Sequence, residues 1–225
     1  MKYYHFTRRE IKPLLPQNPS HVLDVGAGAG NTLKWLKSLF PNAETTGVEI
    51  NESLRDELEQ NVDIAIIGPI GNCFTQLKTY DLILLLDVLE HVPDPLGTLQ
   101  KLAGLLRPGG HVIVSIPNIS HLSVSVPLLL RRRFAYQNAG ILDRTHLTFF
   151  VEDTAVKLLN DAKLLVTDGL ISGLTGPKAK LLDRLSFGLL RHHLAKQYIM
   201  LGQLREHQFF QPKVRWSNVR MSNQD

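Results

Sequence analysis

Short apolar runs alternate with amphipathic stretches through most of the chain. SHVLDV, residues 20–25, reads as a buried strand, and Asn31 to Phe40 follows as a helix. That helix carries Leu33, Leu36, Leu39 and Phe40 on one side, and Pro41 stops it. The pattern repeats with strands at 43–50 and 62–68, and with a helix at 51–60 that Asn51 caps. YDLILLLDVL, 80–89, is apolar along its whole middle, which predicts a strand covered on both faces. A helix over 94–110 ends at Pro108 and two glycines, and HVIVSIP, 111–117, gives a fifth strand. Five strands alternating with helices imply a right-handed, doubly wound α/β sheet.

Beyond Pro117 the pattern loosens. Residues 118–150 are too long for a plain connection and are expected to be a substrate-side insertion. A helix at 151–162, a strand at 163–172, an amphipathic helix at 178–195 within a helical insertion (173–196), and a last strand at 197–204 follow. One domain over 1–204 with a loose polar tail at 205–225 is the expected organisation.

The turn after the first strand carries Gly26, Gly28 and Gly30 at alternate positions, with Asp24 two residues ahead of the first. Such a strand-to-helix turn at a carboxyl edge is the usual ligand crevice of an open α/β sheet. Glu49 ends the next strand, 21 positions after Gly28, where an acid can hold ribose hydroxyls. The dinucleotide fingerprint G-x-G-x-x-G would need a third glycine where Asn31 stands. A carboxylate at Asp24 also suits an ammonium better than a pyrophosphate, because like charges repel. S-adenosylmethionine combines a nucleoside with such a cationic end. An NAD-dependent oxidoreductase and a nucleotide-cofactor scaffold without turnover are the alternative readings.

VLDVGAGAG, GVEI, YDLILLLDVLEHVPDP and LLRPGGHVIVSIPN occur in that order. Together they resemble the motifs of class I S-adenosylmethionine-dependent methyltransferases, over about residues 20–204. The resemblance implies a Rossmann-like, seven-stranded, mostly parallel sheet with QYIMLGQL as an antiparallel edge strand. It assigns Asp24, Gly26, Ala27 and Gly28 to the methionine end of the cofactor, Glu49 and Ile50 to the ribose side, and Asp87 and Val88 beside the ligand. An acid is often found after the third strand in that family; Gly68, Pro69, Ile70 and Gly71 stand there instead. Ile70 or Asn72 is then the expected contact for adenine. The second half resembles small-molecule methyltransferases, several of which occur with sugar, polysaccharide or quinone biosynthesis. O-methylation of a small-molecule acceptor is the expected reaction.

A hydroxyl acceptor benefits from a base, and histidine suits neutral pH. His91, His121 and His146 are the candidates, His121 and His146 being preferred, with Arg144 to bind an acidic acceptor group; Phe134 and Tyr136 are candidate pocket walls. Asp87, Glu90 and His91 share a D-x-x-E-H spacing that can gather oxygen and nitrogen donors, with His146 as a fourth. No metal is assigned, and Glu90 and His91 are read as ordering their loop.

Composition adds limits. No apolar run spans the ~20 residues of a membrane helix, and the first residues lack an apolar signal core. Cys73 is the one cysteine, so no intrachain disulfide can form, and a cytoplasmic setting is expected. Net charge is +4 but lopsided: residues 1–125 hold 10 Lys+Arg against 13 Asp+Glu, and residues 126–225 hold 15 against 8. With no recognition motif and an acidic first half, nucleic acid is not an expected partner. RRR at 131–133 reads as a solvated helix end. The 178–195 helix offers a lid, a subunit contact or a membrane-surface contact, with its apolar face expected to pack on the domain. Nothing in the sequence sets the oligomeric state.

Overall fold

A computed structural model describes residues 5–174, 176–205 and 210–219. Among these, eight strands form one sheet. They are β1 (His21–Val25), β2 (Glu44–Glu49), β3 (Ile64–Ile67), β4 (Tyr80–Leu86), β5 (Leu106–Pro117), β6 (Leu164–Ser172), β7 (Gln197–Leu204) and β8 (Arg215–Asn218). The helices are α1 (Asn31–Leu39), α2 (Arg55–Asn61), α3 (Ile70–Cys73), α4 (Pro95–Ala103), α5 (Leu122–Arg131), α6 (Glu152–Asp161), α7 (Pro177–Leu185) and α8 (Arg191–Leu194).

The strand order is β3-β2-β1-β4-β5-β7-β6-β8, with β1 to β5 all parallel. This is the Rossmann-like, mostly parallel sheet that the motifs imply. Order reverses between β1 and β4, so their carboxyl ends open a crevice at that switch point.

The apolar run of β4 explains itself in three dimensions. Ile83 and Leu85 join the core on one face of the sheet, Leu82 and Leu84 the core on the other. Leu99, Leu102, Ala155 and Leu159 of α4 and α6 close the first face. Leu33, Leu36 and Leu58 of α1 and α2 close the second. Each such buried leucine contributes roughly 1.5–3 kcal/mol by leaving water. The expected end of α4 and start of β5 also shift: the helix ends at Ala103, and the strand begins at Leu106.

Three expectations need correction. First, β7 is antiparallel as expected but lies inside the sheet, between β5 and β6. Its Ile199 and Met200 are fully buried, which suits an interior strand better than an edge.

Second, the 178–195 helix is broken. α7 stops at Leu185, Phe187 and Gly188 take left-handed backbone (φ 51° and 82°), and α8 begins at Arg191. The Gly188 amide returns to the Asp183 carbonyl at 2.8 Å, closing the helix end on a glycine. Its apolar side packs on the domain only at the far end, where Leu190 meets the core and Leu194 is buried; Leu181, Leu182, Leu185 and Leu189 are exposed.

Third, the 205–225 tail is not wholly loose, since β8 pairs in parallel with β6. The Trp216 ring covers Gly169, where an added Cβ would lie 2.3 Å from the indole, and its Nε1 donates to Glu152 at 2.6 Å. The parts of the expected tail at 206–209 and 220–225 lie outside the described residues.

Candidate active site at the carboxyl edge

The sequence between β1 and α1 must turn sharply while leaving its backbone open to a ligand, and glycine is the residue that permits both. Gly26 has φ 77°, and a Cβ there would meet Val88 Cγ2 at 2.8 Å. Val88 therefore closes over the turn from the end of β4. Gly28 donates its amide to Glu49 Oε2 at 2.8 Å, and Asn51 donates to Oε1 at 2.9 Å. Glu49 is buried and faces the glycine turn, linking the ends of β1 and β2.

A cleft of about 360 Å³ opens here, within the size range of ordinary ligand pockets. Asp24, Gly26, Ala27, Gly28 and Asp87 line it. Glu49, Val88 and Ile50 are not among its lining residues: Glu49 is buried, Val88 half-buried, and Ile50 exposed just past the end of β2. Ile70 opens α3 and packs partly against the core. Asn72, the other adenine candidate, is exposed beside it.

Asp24 is 3% exposed, and its Oδ1 has no hydrogen-bond partner. Burial lifts its pKa to about 7; Glu49 adds to the rise, and Arg8 opposes it. An unpartnered buried carboxyl oxygen costs free energy unless a ligand satisfies it.

Arg8 is the residue that sequence reasoning missed. Residues 9–14 form a 3₁₀ turn, and Phe6, Thr7 and Arg8 ahead of it make one wall of the cleft. The guanidinium bonds Asp87 Oδ2 at 2.7 Å and Ser115 Oγ at 3.0 Å, and also pairs with Glu10. Burial works against its charge, and the Asp87 and Glu10 carboxylates more than offset that. Asp87 takes a left-handed conformation (φ 62°) and receives Ser115 Oγ at 2.8 Å as well as the Gln197 amide. Four regions distant in sequence thus meet at one carboxylate.

Beside Asp87 lies a second group: Glu90, His91 and His146. Leu147 and Thr148 donate their amides to the Glu90 carbonyl, at 2.7 and 3.2 Å, which folds the 145–148 loop against the 3₁₀ turn Leu89–His91 that follows β4. The His91 and His146 rings meet edge to face, with centroids 4.8 Å apart. Both Glu90 carboxyl oxygens are buried without a partner, and burial, then Asp87, lifts its pKa well above the ordinary range. One donor atom from each of the three residues fits within 4.8 Å, a spacing suited to a divalent cation. The D-x-x-E-H set regroups accordingly: His146 joins Glu90 and His91, while Asp87 is committed to Arg8, Ser115 and Gln197.

The two expected bases differ. His146 Nδ1 lies 3.0 Å from the Ile141 carbonyl, which fixes the proton on Nδ1 and leaves a lone pair on Nε2. Burial, then His91, lowers its pKa, so the ring is neutral near pH 7. His121 instead caps α5: its Nδ1 accepts from the Ser123 amide at 3.1 Å and meets Ser123 Oγ at 2.8 Å. Burial, then Lys196, lowers its pKa too. Arg144 is exposed, and Asp143 forms its turn with the Thr145 amide and hydroxyl at 2.8 and 2.7 Å. Phe134, Tyr136 and Phe149 stack edge to face beside His146. Cys73 is buried with its thiol on the Pro69 carbonyl, and burial raises its pKa.

Comparison with known proteins adds three findings. A family model described as a methyltransferase domain matches residues 2–167. A ubiquinone biosynthesis O-methyltransferase of Vibrio cholerae serotype O1 is 30% identical over 131 residues, covering 48% of this chain and 53% of its own. The chain thus spans about half the length of that relative. One of the same description from Shewanella pealeana is 26% identical over 181 residues, covering 71% of this chain and 75% of its own. In fold, the chain is similar to a solved SAM-dependent methyltransferase from Archaeoglobus fulgidus, with TM-score 0.60 and 17% identity, over 87% of this chain and 90% of that one.

Proposed function

The chain belongs to the methyltransferase-domain family, and from that premise we propose that it moves a methyl group from S-adenosylmethionine to a hydroxyl of a small molecule. The observation that carries the reading is the cleft's pair of opposite charges, the unpartnered Asp24 carboxyl and the Arg8 guanidinium. An amino acid end presents the complementary pair. In this reading Asp24 accepts the ammonium, Arg8 takes the carboxylate, and Glu49 holds the ribose across the Gly26–Gly28 turn. Ile50 and Ile70 cover the adenine side.

When bound, S-adenosylmethionine supplies a methyl group already activated by a sulfonium. The remaining work falls to the chain: aligning the acceptor, excluding water and removing a proton. His146 removes it at Nε2, the nitrogen left with a lone pair by the Ile141 contact. Burial, then Asp87, holds the Glu90 pKa well above the ordinary carboxylate range beside His146, while Phe134, Tyr136 and Phe149 wall the acceptor ring. Arg144 is exposed at the rim, suited to an acidic acceptor substituent. His121 serves mainly as a cap. The relatives' description supports a quinone-type phenol among the acceptor classes expected from sequence. The metal-free reading is kept, so EDTA leaves turnover unchanged; loss of turnover restored by a divalent cation would overturn it.

Calorimetry tests the cofactor: binding of S-adenosylmethionine and not of NAD is expected, and the reverse overturns the proposal. Release of S-adenosylhomocysteine tests the chemistry. A phenolic acceptor is expected to exceed its aniline counterpart, and a preference for the amine would move the reaction to nitrogen.

A further inference from the structure

We propose that the tips of α5 and the α7–α8 segment form a docking face for an anionic lipid bilayer. Leu129 and Leu130 end α5 at 81% and 74% exposure, followed by three exposed arginines, Arg131, Arg132 and Arg133. Leu181 and Leu185 stand out from α7, and at its break Phe187 and Leu189 are 95% and 81% exposed. Side chains of this size are normally covered, and a protruding set is an interaction surface.

The two segments belong to one side of the molecule. β5 and β6 run in the same direction, each being antiparallel to β7, so α5 and α7 both leave from the carboxyl edge. Asn118, at the root of α5, donates its Nδ2 to the His192 and Ala195 carbonyls, both at 2.8 Å. The Asn118 amide bonds the Lys196 carbonyl at 2.9 Å.

Charge selects the partner. Residues 118–150 and 173–196 carry nine Lys and Arg against two Asp, while the rest of the chain carries 16 against 19. Both acids are engaged: Asp183 with Arg191 at 3.0 Å, and Asp143 in its turn with Thr145. Leucine and phenylalanine tips amid basic side chains match the interfacial region of an acidic membrane, where apolar groups enter the acyl boundary and cations meet headgroup phosphates. A nucleic-acid surface would leave the leucines without a partner. No helix among the described residues is long and apolar enough to cross a membrane, so the contact is peripheral.

The test is co-sedimentation of the full chain with vesicles. Binding to phosphatidylglycerol–phosphatidylcholine vesicles, weak binding to pure phosphatidylcholine, and loss in high salt are expected. Phe187→Ser with Leu189→Ser should reduce binding at least tenfold. Arg131→Ala, Arg132→Ala and Arg133→Ala together should reduce it on anionic vesicles alone. Circular dichroism confirms that each variant is folded. No binding to anionic vesicles overturns the proposal, as does binding that ignores lipid charge. A concentration-dependent dimer abolished by Phe187→Ser would also overturn it, by assigning the face to a second copy of the chain.

Discussion

The two sides of the carboxyl edge are built by different means. Around β1 and β2 the cleft is made of backbone: glycine amides, a left-handed turn and a strand-end glutamate that accepts two main-chain N–H groups. Past β5 the same edge is made of side chains on long excursions, with rings stacked on one another and leucines turned outward. A backbone-built site tolerates few residues at each position. A side-chain-built one can change its ligand while keeping its scaffold. One side is suited to a constant ligand, the other to a particular acceptor or surface.

Substitutions can break or sharpen that contrast. Gly26→Val should act most broadly, because the new side chain meets Val88 at a positive φ. We expect no measurable cofactor binding and a loss of about 2–3 kcal/mol by chemical denaturation, from overpacking and backbone strain combined. His146→Ala should leave cofactor affinity within twofold by calorimetry while lowering turnover roughly 10²–10⁴-fold, the range of general base catalysis. Equal losses in both measurements would erase the division between the two sides. Arg8→Ala should weaken cofactor binding by roughly 30–100-fold, as expected for a hydrogen-bonded charge.

Asp24→Asn separates binding from stability. Asp24 has a folded pKa of about 7 against 3.8 without perturbation, so its favourable contribution is present below pH 4 and lost as pH rises through 7. The variant avoids that loss, and its apo form should melt higher than the parent at pH 8. A ligand ammonium favours the ionised carboxylate, so affinity of the parent should rise between pH 6 and 8. A flat profile in the parent, or a rising one in Asp24→Asn, would remove Asp24 from that role. Phe187→Ser should move unfolding free energy by less than about 0.5 kcal/mol, since the ring touches little of the fold.

The same contrast explains what could be read from sequence. β1, β4 and the glycine turn were legible because their demands are local: apolar runs for a sheet covered on both faces, and glycine where φ is positive. Asp24, Gly26, Ala27, Gly28 and Asp87 accordingly meet in one cleft. Arg8 was not legible, since an arginine in an irregular segment gives no periodic signal and its partners lie 79 and 107 positions away. The break at Phe187 hides behind a helix-like spacing of leucines that continues across Gly188. β8 hides for the opposite reason: RWSN is short and polar, and Trp216 finds its place through the missing side chain of Gly169. His121 and His146 look alike on paper; only the neighbours of their Nδ1 atoms distinguish a helix cap from a ring that keeps its lone pair on Nε2.

The junction of Arg8, Asp87, Ser115 and Gln197 also bears on when the protein becomes competent. Its first and last members are 189 positions apart. A ribosome must therefore deliver every residue through Gln197 before the guanidinium can settle, and nascent fragments short of it would have no finished pocket to fill.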